Sequence, residues 1–189
     1  MLSAAHRGRD RNFEKGERNL MNPDDGITGL IEALRSRDGV IRQKARARVV
    51  TLGRPAVPFL IALMSDPDDR VRWEACKALG SIQDPSTITI LIHALLDDDM
   101  EVRWLAAEGL ILLREKSVLP LLEGLRDHSD SVVFRWGAYH VLHALEHDHH
   151  LTAPTIAVLR KLKEYEPAST LAWSVHEAIG SQLMHHSTS

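Results

Sequence analysis

Residues 68–80 read Asp68-Asp69-Arg70-Val71-Arg72-Trp73-Glu74-Ala75-Cys76-Lys77-Ala78-Leu79-Gly80, and this run returns along the chain. Asp99 to Leu110 and Asp38 to Val49 are copies in which the Asp, the apolar-Arg pair and the small residues keep their places. All four tryptophans occupy one position of the pattern. Trp104 and Trp136 open degenerate copies, and Trp173-Ser174-Val175-His176-Glu177-Ala178-Ile179-Gly180 repeats the second half. Successive tryptophans lie 31, 32 and 37 residues apart. A period in the thirties is the mark of one supersecondary unit stacked several times.

Each unit reads as two helices. At about 100° per residue, with Val71 as zero, Ala75 falls near ~40°, Ala78 near ~340°, Leu79 near ~80° and Ile82 near ~20°, a single apolar stripe. No segment alternates with the period of a strand. The small residues Ala75, Ala78, Ala106, Gly109 and Ala138 let neighbouring helices approach closely. A first helix precedes each stripe, ending in Leu30-Ile31-x-Ala33-Leu34, Phe59-Leu60-x-Ala62-Leu63, Leu91-Ile92-x-Ala94-Leu95 or Leu121-Leu122-x-Gly124-Leu125, with a degraded fifth copy at Val158-Leu159-x-Lys161-Leu162. Asp38, Asp68, Asp99 and Ser131 stand three residues ahead of the second helix's first apolar position. There their side chains accept hydrogen bonds from unpaired helix N–H groups. Pro85 and Pro154 fit first turns, and Gly53 and Gly80 fit helix ends. The expectation is an all-α fold: a solenoid of about five stacked helix pairs.

The Asp-x-x-Val-Arg-x-x-Ala-x-x-Ala-Leu-Gly run and its copies resemble the HEAT-repeat family, in particular the short HEAT-like repeats of phycobilisome lyases. The resemblance covers about residues 26–183. It implies an α-α superhelix with repeats at about 26–54, 55–83, 84–115, 116–148 and 152–184, while residues 1–25, polar and without a helical apolar period, read as a flexible N-terminal tail and 185–189 as a short C-terminal one. The family mostly supplies binding surfaces, and a fold does not fix a function.

With 189 residues, 44% hydrophobic and 26% charged, the chain is long enough for one domain with a real core. The single cysteine, Cys76, permits no internal disulfide and points to a reducing, cytoplasmic setting. No apolar run approaches the length of a membrane span, and the N-terminus lacks a signal-peptide h-region. The net charge of -3 conceals an asymmetry: residues 1–54 carry 12 Lys/Arg against 7 Asp/Glu, and residues 55–189 carry 11 against 19.

The tryptophans sit near ~200°, opposite the core stripe. In one reading Trp73, Trp104, Trp136 and Trp173 line the concave face of the second helices and anchor a partner protein or peptide, with Lys77, Glu108 and His140 as their polar setting. In the other they pack sideways against the next repeat. Arg42, Arg72, Arg103 and Arg135 recur once per repeat: they read either as an anion-binding ladder or, as the resemblance to HEAT repeats implies, as a structural ladder, since a planar fork beside recurring acidic turns suits bidentate pairing with residues such as Asp66, Asp97 or Asp98.

His140, His143 and His147 share one helix face and could present imidazoles to a metal, with His149 and His150 following. No acid or cysteine completes a tetrahedral set, so neither a metal nor another cofactor is expected. Deoxyhypusine hydroxylase, a HEAT-repeat enzyme, holds iron through His-Glu pairs at the start of second helices. Here those positions read Arg72-Trp73-Glu74, Trp104-Leu105 and Trp136-Gly137, and the lone His176-Glu177 pair lies three residues late. Cys76 reads as a buried thiol, and no catalytic constellation stands out. The favoured function is therefore a non-enzymatic protein-binding scaffold. A phycobilin-lyase-like cofactor-handling factor is the alternative. Nucleic-acid binding through Arg35, Arg37, Arg42, Lys44, Arg46 and Arg48 of the first repeat is a lesser one.

Overall fold

The computed structural model describes residues 23–147, 151–164 and 167–186. Ten α-helices run through them: α1 (Pro23–Ala33), α2 (Gly39–Leu52), α3 (Val57–Leu63), α4 (Asp69–Ile82), α5 (Ile88–Ala94), α6 (Met100–Leu112), α7 (Glu115–Asp127), α8 (Val132–His147), α9 (Ala153–Lys163) and α10 (Ala168–His186). There is no strand among the described residues, and the expected all-α solenoid of helix pairs is the observed fold. Short 3-10 turns at Arg54–Ala56 and Pro85–Thr87 lead into α3 and α5. The first helix begins at Pro23 and the last reaches His186, outside the expected limits of 26 and 184. A helix can start several residues before its apolar period shows, since its first turn favours proline and acidic residues. The tail before residue 23 and His149–His150 lie outside the described residues.

The caps form as their residue types dictate. Asp38 accepts from the Val40 N–H at 2.8 Å, Asp68 from Arg70 at 3.0 Å, Asp99 from Val102 at 2.9 Å, and the Ser131 hydroxyl from Phe134 at 3.3 Å. Each satisfies a donor that the first helical turn leaves unpaired. Leucines of the first helices (Leu34, Leu60, Leu91, Leu95, Leu121, Leu125) interleave with Val71, Ala75, Leu79, Val102, Leu110, Phe134 and Leu142 of the second helices in one continuous buried core. In the fourth pair a small residue and a large one are exchanged. Phe134 replaces the Ile41, Val71 and Val102 of earlier copies, and Gly124 replaces the alanine that would oppose it. A Cβ on Gly124 would meet the Phe134 ring at 2.6 Å.

The first four pairs stack in register. α2, α4, α6 and α8 lie side by side as an inner layer, backed by α1, α3, α5 and α7. α4 and α6 approach closely, and a Cβ on Gly80 would stand 3.0 Å from the Gly109 Cα. Gly80 is therefore a packing residue inside α4, and the expectation that it ends the helix is corrected. The helix closes at Gln83, in the left-handed conformation (φ 55°). Gly53 does close its helix, with φ 67° and ψ -135°. Arg114, between α6 and α7, adopts almost the same backbone state, φ 54° and ψ -138°.

The fifth pair breaks the pattern. α9 packs beside α8, where an inner helix belongs, and α10 packs on α7, in the outer layer. The two helices have exchanged layers relative to the first four pairs. The pair holds no equivalent of the arginine that clasps the turn between helices (Ala172 stands there). Its own link is between α9 and α10, with Gln182 donating to Thr155 at 3.4 Å.

Two variants probe this frame. Gly80→Ala sets a methyl against backbone and is expected to lower stability by about 1–3 kcal/mol in denaturant melts. Gln83→Gly removes a side chain from the left-handed backbone state that closes α4 (φ 55°), a strain of about 1–2 kcal/mol, offset by glycine's entropy of about 0.5–1 kcal/mol. It is expected to raise the melting temperature by about 2–4 °C.

Candidate functional site

The arginine series builds the turns. Arg42 Nη1 donates to the carbonyls of Ser36 (2.8 Å) and Arg37 (3.1 Å), Arg72 Nη1 to Asp66 (2.9 Å) and Pro67 (3.4 Å), and Arg103 Nη1 to Asp97 (2.6 Å) and Asp98 (2.9 Å). The second helix thus clasps the main chain of the turn that precedes it, six and five residues back. The rest of each guanidinium reaches forward. Arg72 holds the Asp97 carboxylate with two bonds of 2.8 Å, and Arg42 donates to Glu74 at 3.0 Å. Arg46 also pairs with Glu74, and Arg35 pairs with Asp66. Three of the six basic residues read as a nucleic-acid surface, Arg35, Arg42 and Arg46, are therefore bound to buried carboxylates of the second repeat. Arg135 lies at the corresponding place on α8.

Three tryptophans come together on the inner layer, one each on α4, α6 and α8. Trp173 does not join them. It is 73% exposed on α10, so the layer exchange of the fifth pair corrects the expectation of one row of four indoles. The three that align differ in environment. Trp73 is half-buried, with Lys77 Nζ 4.6 Å from its ring centroid and Arg46 Cζ at 5.3 Å, so cations occupy its faces. Trp104 and Trp136 are 56% and 57% exposed.

His140 leans from α8 to α6. Its ring centroid is 4.5 Å from that of Trp104, and its Nε2 is 2.9 Å from Glu108 Oε1. His140 and Glu108, on neighbouring repeats, are thus joined beside Trp104. The three histidines do not converge on a metal position. His140 turns to α6, while His143 stacks between Tyr139 (5.4 Å) and His147 (5.0 Å). Among the described residues no group of three His, Cys, Asp or Glu could hold a metal ion.

Sequence reading missed the residues that complete this face. Met100, Val132 and Val133 are exposed at the starts of α6 and α8, and with Trp104, Ala107, Trp136, Gly137, Tyr139 and His140 they line a hollow between the two helices. The buried Leu95 forms its floor. Gly137 gives access to that floor, since a Cβ there would lie 3.0 Å from Leu95 Cδ2. A second hollow, beyond Trp136, is lined by Val132, Arg135, Tyr139, Leu162 and Lys163, which places α9 on the same face. The signal was present in the helical angle. Relative to Phe134, Val132, Trp136, Tyr139 and His140 fall at about 140–240°, opposite the core.

Cys76 is buried, with Sγ 3.7 Å from the Val102 carbonyl. Burial, and then the charge of Asp97, pushes its pKa up to about 12, so it stays an unreactive thiol at neutral pH. Burial also raises the carboxyl of Asp97. The bonds from Arg72 and from the Asp99 N–H, with the charges of Arg72 and Arg103, outweigh it and hold the group below its ordinary value.

An inner layer of aligned second helices with an apolar aromatic hollow between two of them defines a helical-repeat solenoid. A family model described as HEAT repeats matches residues 27–111, and the resemblance to HEAT repeats read from the sequence is correct there. Among solved structures, the chain is similar to a chain in the complex of CpcE and CpcF of phycocyanin lyase from Nostoc sp. PCC7120. The identity is 24%, the TM-score is 0.60, and the match covers 82% of this chain and 98% of that one. No curated protein matches the chain. No helix among the described residues is long and apolar enough to cross a membrane.

A depressed carboxyl contributes stability above its unfolded pKa of about 3.9 and loses it as the pH falls through the folded value. Asp97→Asn is accordingly expected to melt below the wild type at pH 7, with the gap closing as the pH is lowered from about 4. Circular-dichroism melts across that range measure it.

Proposed function

We propose that the chain is a non-enzymatic scaffold that binds a partner protein or peptide through the face of its inner helices, with Trp104 and Trp136 as anchors. What carries this reading is the pair of indoles, each more than half exposed, beside a hollow floored by Leu95. A contiguous exposed patch with Met100, Val132 and Val133 is the kind of surface that marks an interaction site. Large aromatic residues supply most of the energy at such sites. The face is built on packed helices, so ordering costs on binding fall mainly on the ligand. The structural neighbour belongs to a complex of two proteins, which supports a protein as partner. Trp73, with Lys77 and Arg46 over its ring, acts as part of the wall, and Trp173 lies outside the anchor pair.

Replacing both Trp104 and Trp136 by Ala is expected to weaken capture of the partner from lysate of the source organism by about 100-fold or more, as loss of two anchors implies. The thermal melt should shift by less than about 1 kcal/mol, since both rings are largely outside the core. A collapse of the melt in the double variant would show the indoles to be packing residues.

The second reading is a cofactor-handling factor of the phycobilin-lyase kind. The neighbour's description as part of a phycocyanin lyase favours it, as does an aromatic hollow with Arg103 in its lining, which fits a flat conjugated ligand carrying acid groups. Absorbance and fluorescence spectra of the purified protein with a panel of bilins and divalent metals test it. Unchanged spectra across the panel remove it.

A further inference from the structure

Charge is distributed unevenly along the inner face, and the unevenness follows from three departures from the repeat. The residue after each tryptophan is Glu74 in the second pair, Leu105 in the third and Gly137 in the fourth. The hollow beside Trp73 accordingly carries the carboxylates of Asp69, Glu74, Asp99 and Glu101 among its walls. The two hollows flanking Trp136 have no carboxylate in their lining, and their charged residues are Arg103, Arg135 and Lys163.

The ladder itself is interrupted at the same place. Arg72 reaches forward 25 residues to Asp97. The same step from Arg103 arrives at His128, which has turned to the Phe134 ring (centroids 5.2 Å apart). The adjacent Asp127 is engaged by Arg126 at 2.9 Å. Both oxygens of Asp97 are taken by Arg72, so Arg103 bonds only main-chain carbonyls among the described residues. A guanidinium without its own carboxylate thus stands at the edge of the exposed apolar patch.

Resting on the docking reading above, we infer that the partner segment is an acidic amphipathic helix whose apolar side chains enter the hollows on either side of Trp136 and whose carboxylates meet Arg103 and Lys163. The first hollow runs along α6 from Met100 to Ala107, about two helical turns or ~10 Å, a length read by apolar anchors spaced i, i+3 or i+4. The aliphatic lining (Met100, Val132, Val133, Leu162) matches aliphatic side chains better than nucleobases, which favours a protein over a nucleic acid. Beyond residue 54 Asp and Glu outnumber Lys and Arg by 19 to 11, so the cations that line these hollows also set where such a helix lands.

The test uses the intact protein at pH 7.5 and three 20-residue amphipathic peptides with the same Leu/Phe face, flanked by Glu, Gln or Lys, plus a 20-nucleotide single strand. Binding is followed by fluorescence anisotropy. The Glu peptide is expected to bind at least tenfold more tightly than the Lys peptide, and to weaken as salt rises from 50 to 300 mM. His128→Asp, which restores the ladder carboxylate opposite Arg103, and Lys163→Glu should each weaken the Glu peptide by about threefold to tenfold while leaving the Gln peptide unchanged. Equal or tighter binding of the Lys peptide, tighter binding of the nucleotide strand, no binding of any peptide, or an unchanged Glu-peptide affinity in both variants overturns the inference. The Trp104/Trp136 double variant separates the two claims. Where the Lys peptide binds the wild type as tightly as the Glu peptide and the double variant loses both, the docking face stands and only its charge preference has failed.

Discussion

The grip of one guanidinium on the turn behind it is the interaction from which the rest of this molecule follows. Arg42, Arg72 and Arg103 each donate to the carbonyls six and five residues earlier, so the second helix of a pair is tied to the end of the first through the main chain. Main-chain carbonyls are present whatever the turn sequence, and a planar fork with several donors can hold two of them and still reach forward. The angle within each pair is thereby repeated, and repeated angles let the pairs stack. The fifth pair has alanine in place of the arginine, and its helices exchange layers.

Stacking in register gives the inner face a strict order, and function arises where that order is relaxed. The second pair carries Glu74 and the cations over Trp73, and the hollow there is lined by charged side chains. In the third and fourth pairs Leu105 and Gly137 replace the glutamate and His128 replaces the ladder aspartate. Those changes remove negative charge, and Gly137 leaves the buried Leu95 as the base of a hollow beside two indoles. The same scaffold therefore carries a charged segment and an apolar one, differing at a few positions that leave the helices in place.

The interior is arranged to keep that face still. Gly80 and Gly109 bring α4 and α6 together, and Phe134 fills the space that Gly124 leaves. No buried side-chain polar atom among the described residues lacks a hydrogen-bond partner. Buried Glu74 and Asp66 are each met by arginine, which offsets the cost of removing their charge from water.

The period of the tryptophans, the stripe of small apolar residues and the Asp caps were legible in the amino-acid order, because helical periodicity and capping are local properties of consecutive residues. They determined the all-α fold and the pairing of helices. The exchange of layers in the fifth pair, the isolation of Trp173 and the covering of Trp73 were decided only by tertiary structure. So was the hollow at Met100, Val132 and Val133. Each of these depends on which helix lies beside which, and residues identical in the repeat acquire different exposure once their neighbours across the stack are different.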